Sequence, residues 1–142
     1  MLDERWREHF MSMAKLCSSM SKDPSTKVGA VIVRPDKTVA STGFNGYPRG
    51  VKDDDYQNRE RKYQRIIHAE MNAILTARER LDGYSLFVWP LPPCDRCIPH
   101  IIQAGIQTLY VPKDFDPRWE KPCLEAQAMA FEAGIYVVHV RN

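Results

Sequence analysis

Apolar residues recur at Leu2, Trp6, Phe10, Met13, Leu16/Cys17 and Met20, a spacing of three and four that draws one stripe along a helix. The first element is therefore an amphipathic helix whose sulfur-rich, aromatic face belongs to the core. Ser21-Lys22-Asp23-Pro24-Ser25 interrupts the pattern with turn formers, and Val28 to Val33 follows as an apolar, β-branched run that predicts a buried strand. Pro35-Asp36-Lys37 makes a tight turn into a second strand over Thr38 to Phe44, so the two should form an antiparallel hairpin. From Val51 to Arg65 the chain is polar, with acids at Asp53, Asp54 and Asp55 and bases at Arg59, Arg61, Lys62 and Arg65, and reads as a stretch facing water. Periodicity returns over Ile66 to Arg80, a helix with Ala69, Ala73, Ile74 and Ala77 inward and Asp82-Gly83 closing it. Ser85 to Trp89 is a third strand, stopped by Pro90-Leu91-Pro92-Pro93, and Cys94 opens a helix to Ala104-Gly105. A strand over Thr108 to Val111, a helix over Arg118 to Ala133 with Leu124, Ala128 and Phe131 inward, and a strand over Ile135 to Val140 complete the chain.

This order, α-β-β-α-β-α-β-α-β, defines an α/β protein. It predicts a mixed five-stranded sheet, antiparallel at the first hairpin and mostly parallel thereafter, with helices on both faces. No repeat, low-complexity tract or linker divides residues 1–142, and 44% hydrophobic content suits one domain with its own core. The formal charge of +2 does not name a partner. Charged residues scattered through the first twenty positions leave no signal-peptide core, and no apolar run is long enough to span a bilayer, so the expectation is a cytoplasmic protein with no membrane partner. The four cysteines are then thiols or metal ligands. Cys17 and Cys123, inside predicted helices, read as core residues.

Two short stretches carry chemistry. His68-Ala69-Glu70 and Pro93-Cys94-Asp95-Arg96-Cys97 offer three zinc ligands, His68, Cys94 and Cys97, and a carboxylate in Glu70. A structural zinc closes with four protein ligands, whereas a catalytic zinc keeps three and leaves the fourth position to water. The structural alternative needs a fourth ligand from Cys123, His100 or Cys17. Glu70 favours hydrolysis, because a metal-activated water needs a base. Both motifs fall at predicted helix N-termini, where backbone amides favour the thiolate. The loop Asn45-Gly46-Tyr47-Pro48-Arg49-Gly50 admits two readings: a rigid turn, or an amide, an aromatic and an arginine set to hold a sugar hydroxyl and a phosphate. The basic run from Arg59 to Arg65 is interrupted by Glu60 and lacks the aromatic-studded character of a single-strand groove, so no stable nucleic-acid partner is expected.

His-x-Glu followed by Pro-Cys-x-x-Cys is the signature of zinc-dependent nucleobase deaminases. With Ser21 to Ala30, Gly43 to Gly50, His68 to Ile74 and Ile101 to Ile106, it makes the chain resemble the cytidine/deoxycytidylate deaminase superfamily nearly end to end, and its mononucleotide branch most closely. The resemblance implies a three-layer α/β/α sandwich, one Zn2+ per subunit and a homo-oligomer, a hexamer or a dimer. It also implies hydrolysis of dCMP to dUMP and ammonia, which supplies dTMP synthesis, and regulation by dCTP, with Mg2+, and dTTP. It assigns Glu70 as acid and base. It further places the Ala69 amide on the 2-oxo group, the Pro93 carbonyl on the exocyclic amine, Val28 on the ring and Asn45 on the 3′-hydroxyl, with Lys27 and Arg49 at the 5′-phosphate. Pro90 and Pro92 depart from the family pattern and alter the wall near the base. Another cytosine nucleotide, dCTP, CMP or a modified dCMP, is the alternative substrate; a base in tRNA or single-stranded DNA is a more remote one.

Overall fold

The computed structural model describes residues 1–141. Its strands are β1 (Gly29–Val33), β2 (Val39–Phe44), β3 (Ser85–Trp89), β4 (Thr108–Pro112) and β5 (Tyr136–Val140), joined in one sheet of order β2-β1-β3-β4-β5. β1 pairs antiparallel with both β2 and β3, while β3, β4 and β5 run parallel. The expected hairpin is present, and β1 is the one reversed strand of the five.

Alternation along the strands sorts the core into two layers. Val31 and Val33 of β1, Phe87 of β3 and Tyr110 of β4 pack against Phe10, Met11 and Ala14 of α1 (Glu4–Ser18). Ala30, Ile32, Leu86, Val88, Leu109 and Val111 face the other way, onto α3 (Ala69–Ala77), α4 (Ile98–Gln103) and α5 (Glu120–Glu132). The result is three layers, with α1 alone on one face. No helix among the described residues is long and apolar enough to cross a membrane.

Three expectations about the helices need correction. The polar stretch is not wholly solvated: it contains α2 (Arg59–Arg65), begun by Asn58, whose side chain caps Arg61 N, and Lys62 on it is buried. Second, the helix predicted over Ile66–Arg80 is shorter at both ends. Ile67 is held extended by a bridge to Gly46, its N–H donating to the Gly46 carbonyl at 2.8 Å, and Arg78 ends α3 in the left-handed region at φ 53°. Pairing with a distant segment thus overrides local periodicity. Third, α5 turns the opposite face to the core. Cys123, Ala126 and Ala130 are buried, whereas Leu124 and Phe131 are 56% and 85% exposed and Ala128 is exposed. The inward side is made chiefly of small residues, with Met129 packed beside them, which lets α5 lie on α4 and β5. On α1 the expected stripe holds in the main: Phe10 is buried and Leu2, Trp6, Met13 and Cys17 pack beside Met11 and Ala14, while Leu16, and Met20 just beyond the helix, are exposed.

Glycines set two of the contacts that place these layers. A Cβ on Gly29 would overlap the Ala14 carbonyl, and one on Gly43 would lie 2.5 Å from the Ala69 carbonyl and 2.6 Å from Ala73 N. The first turn of α3 therefore rests directly on the β2 backbone. Gly43→Ala should cost about 1–3 kcal/mol by overpacking and depress activity with it, because the displaced turn carries Glu70; denaturant midpoints and turnover measure the two. Ala126→Leu should destabilise by a similar ~1–3 kcal/mol, while Ala128→Leu should stay within ~0.5 kcal/mol, as read by thermal or denaturant unfolding.

Candidate metal centre and its cavity

His68 is the N-cap of α3, in extended conformation at φ -69° and ψ 154°, and Glu70 lies in the first turn behind it. The extended backbone at Ile67 and His68 swings the imidazole away from the helix barrel, which separates ligand from carboxylate more fully than helical spacing alone. Cys94 and Cys97 bracket a turn: the Cys94 carbonyl accepts from Cys97 N and Ile98 N, both at 3.1 Å, and Cys97 is the N-cap of α4. The helix expected from Cys94 thus starts at Ile98. The tight turn brings both sulfurs onto one side.

His68 Nδ1 lies 3.1 Å from Cys97 Sγ and 3.6 Å from Cys94 Sγ, and the three donor atoms lie within 4.8 Å of one another. A tetrahedral zinc with bonds of about 2.0–2.3 Å has ligand-to-ligand edges of ~3.3–3.8 Å, so the group needs shifts of only a few tenths of an ångström at His68 to reach its dimensions. Among the described residues no fourth histidine, cysteine or carboxylate joins it. His100 is exposed on α4 with its Nδ1 on the Arg96 carbonyl, and Cys123 stands outside the group.

The charges of the group also call for a cation. The Cys94 thiol is depressed to about 3, first by the hydrogen bond that Cys97 offers it and then by His68. Cys97 is driven far upward by that same hydrogen bond and by burial, and His68 is raised chiefly by its hydrogen bond with Cys94. The bare cluster thus holds one thiolate. A second, which both cysteines need in order to ligate, requires positive charge between them. Glu70, 4% exposed, has its carboxyl pushed up to about 7 by burial. Such a group both takes and returns a proton near neutral pH.

These residues open onto a cavity of about 740 Å³. Of the residues picked out in the sequence, Val28, Asn45, His68, Ala69, Glu70 and Cys94 line it. Cys97 and Pro93 are buried at its edge. Leu91 and Pro92 form part of its wall beside Cys94, whereas Pro90 is not among the lining residues. Asn45 is built into the frame: its Oδ1 accepts from Val28 N at 2.9 Å, and its Nδ2 donates to the Thr26 carbonyl at 2.9 Å and to Asp23 Oδ2 at 3.4 Å. Lys27 and Arg49 are not among the lining residues. Lys27 Nζ donates to the Ser21 carbonyl at 2.5 Å, and Arg49 is exposed on the loop whose Tyr47 stacks on Tyr56 at 4.5 Å. The cations that line the cavity are instead Arg59 and Lys62 of α2, Arg96 and Arg118. Lys62 was invisible in the sequence because its partner, Asp23, lies 39 residues away.

The fold and the His68-Cys94-Cys97 group fit a zinc-binding deaminase, and the chain belongs to the cytidine and deoxycytidylate deaminase family: the family's zinc-binding region profile matches residues 4–113. Over 137 residues the chain is 46% identical to an uncharacterized deaminase in the luxG 3′ region of Aliivibrio fischeri, covering 94% of this chain and 92% of that one. The human deoxycytidylate deaminase is 38% identical over 117 residues, 77% of this chain and 65% of its own length. The dCMP deaminase of cyanophage S-TIM5, solved in complex with dCMP and dUMP, superimposes with a TM-score of 0.78 at 25% identity, covering 99% of this chain and 100% of that chain.

Metal analysis of the purified protein should find one zinc per chain. Cys97→Ala should lower zinc affinity by at least tenfold, and Glu70→Gln should leave the zinc content unchanged. Equal zinc in Cys97→Ala and wild type would remove Cys97 from the ligand set.

Proposed function

We propose that this protein is a zinc-dependent hydrolase that converts dCMP to dUMP and ammonia. The observation that carries the reading is a cavity in which an open His68-Cys94-Cys97 group meets the buried carboxyl of Glu70 and which also holds a buried lysine, Lys62. The first pair supplies deamination chemistry and the lysine suits an anionic substrate. The similarity to human and cyanophage dCMP deaminases supports the same substrate.

When bound by His68, Cys94 and Cys97, zinc lowers the pKa of water from ~15.7 toward ~7 and so makes a nucleophile available at neutral pH. Glu70 accepts the proton of that water and delivers it to ring nitrogen 3. The water oxygen adds to carbon 4 as a hydroxyl; Glu70 then moves the proton of that hydroxyl to the exocyclic amine, the carbon 4–nitrogen bond breaks, ammonia leaves and a carbonyl remains at carbon 4. The Ala69 amide takes the 2-oxo group, the Pro93 carbonyl orients the departing amine, Val28 packs on the ring and Asn45 receives the 3′-hydroxyl. Of the cations, Lys62 suits the 5′-phosphate better than Lys27 or Arg49, since it lines the cavity and they do not. Desolvated beside Ser25, its ammonium can offer the phosphate a charge-assisted hydrogen bond that solvent screens little.

An ultraviolet deamination assay on zinc-loaded protein should show turnover of dCMP and little on cytidine, CMP or dCTP. Glu70→Gln should lower kcat on dCMP by on the order of 10²–10⁴-fold, the range general acid–base groups supply. Turnover of none of the monophosphates, or full activity in Glu70→Gln, overturns the assignment.

A further inference from the structure

The cavity wall contains an ion pair between Lys62 of α2 and Asp23, whose acidic member has no part in the reaction. Lys62 Nζ lies 3.3 Å from Asp23 Oδ1, and the two side chains are 11% and 5% exposed. Lys62 Nζ also lies 3.4 Å from Ser25 Oγ. Both contacts are long for a charged donor, which prefers about 2.7–2.9 Å to a carboxylate. The ammonium is thus caged but loosely bonded. Asp23 has other donors: its Oδ1 accepts from Ser25 N at 2.8 Å and its Oδ2 from Asn45 Nδ2 at 3.4 Å. Withdrawal of the lysine would leave this carboxylate still hydrogen-bonded.

Resting on the function proposed above, we propose that Asp23 is a specificity-determining residue: it stands in for the substrate phosphate in the empty enzyme, keeping Lys62 in the cavity, and yields it when a phosphate enters. A buried ion pair gains little net stability over an apolar wall, because desolvation offsets most of the attraction. What it provides here is a threshold. A phosphate dianion outbids one carboxylate for the ammonium, while an uncharged nucleoside offers nothing in exchange and meets a cavity whose one buried cation among the described residues is already paired. Asp23 also holds Asn45, which receives Val28 N, so the exchange occurs beside the frame that seats sugar and base.

The test compares wild type, Asp23→Asn, Lys62→Met and the double variant, with KM for dCMP, competitive inhibition by inorganic phosphate, and thermal unfolding as readouts. Lys62→Met strands the buried carboxylate facing the phosphate and should raise KM by on the order of a hundredfold. The double variant should recover about tenfold of that loss. Asp23→Asn alone, which keeps the acceptor for Ser25 N and releases the ammonium, should bind inorganic phosphate about threefold or more tightly than wild type. The inference is overturned if the double variant is no better than Lys62→Met, or if Asp23→Asn binds phosphate no more tightly. A purely structural pair would couple the two positions in thermal unfolding and in neither binding readout. Should Lys62→Met fail to fold, the phosphate comparison between wild type and Asp23→Asn decides alone. Wild-type protein inert toward dCMP overturns the functional reading and this inference together, whereas active wild type with failed coupling overturns the inference only.

Discussion

Three donors held within 4.8 Å of one another, two of them cysteine sulfurs, accommodate one negative charge and refuse a second. That electrostatic limit is the constraint around which the rest of the structure is arranged. A dication between the sulfurs removes it, and the side chains at the group do not match one: it holds a histidine and two cysteines, the Arg96 guanidinium lowers Cys97 only against the larger effects of hydrogen bonding and burial, and Glu70 is itself buried and raised. Burial that would be costly for isolated ionisable groups becomes favourable once the metal is counted, because desolvation strengthens every attraction to it. The same burial lifts Glu70 into the range where it exchanges protons near neutrality. A single low-dielectric pocket therefore serves both ligand and base.

The sheet makes that pocket possible by holding two chain turns face to face. α3 rests against β2 at Gly43, and the Gly46–Ile67 bridge straightens the backbone just ahead of His68. The imidazole so leaves from an extended residue rather than a helical one. On the neighbouring side, β3 runs into the proline segment, and the turn from Cys94 to Cys97 follows at once. β1 lies between β2 and β3 and pairs antiparallel with both, tying the two ligand-bearing segments to one rigid strand. A small shift of α3 on β2 would move His68 relative to the sulfurs, which is why a close backbone approach at Gly43 matters more to the site than its distance in sequence suggests.

The parts of this arrangement that could be read from the sequence are those with local causes. β-branched runs gave the strands, and the spacing of His68, Glu70, Cys94 and Cys97 gave the metal group, since motif chemistry is written in adjacent residues. Features with distant causes could not be read. α2 has almost no apolar face; it forms because Asn58 caps it and because Lys62 meets Asp23 across the cavity. The α5 face was misjudged for the converse reason. Leu124, Ala128 and Phe131 make the better apolar stripe, but it is Cys123, Ala126 and Ala130, with Met129 beside them, that pack on the core. Periodicity reports which face is apolar, and packing decides which face fits.

Charge is also distributed along the cavity in a way that bears on the proposed reaction. Thiolates and Glu70 occupy the metal end, whereas Lys62 sits against the loop carrying Asp23 and Ser25, with Arg59 on the same helix. Phosphate oxygens are good ligands for hard or borderline cations, and a nucleotide that entered phosphate first would poison a zinc with an open position. The Glu70 carboxylate at the metal end opposes that entry, in part against Arg96 beside the ligands, while the paired lysine offers the phosphate a resting place elsewhere. A neutral cytosine meets no such repulsion and can approach the metal with its carbon 4 foremost. The segregation thus orients a substrate that is neutral at one end and doubly charged at the other, and it does so before any hydrogen bond to the base is made.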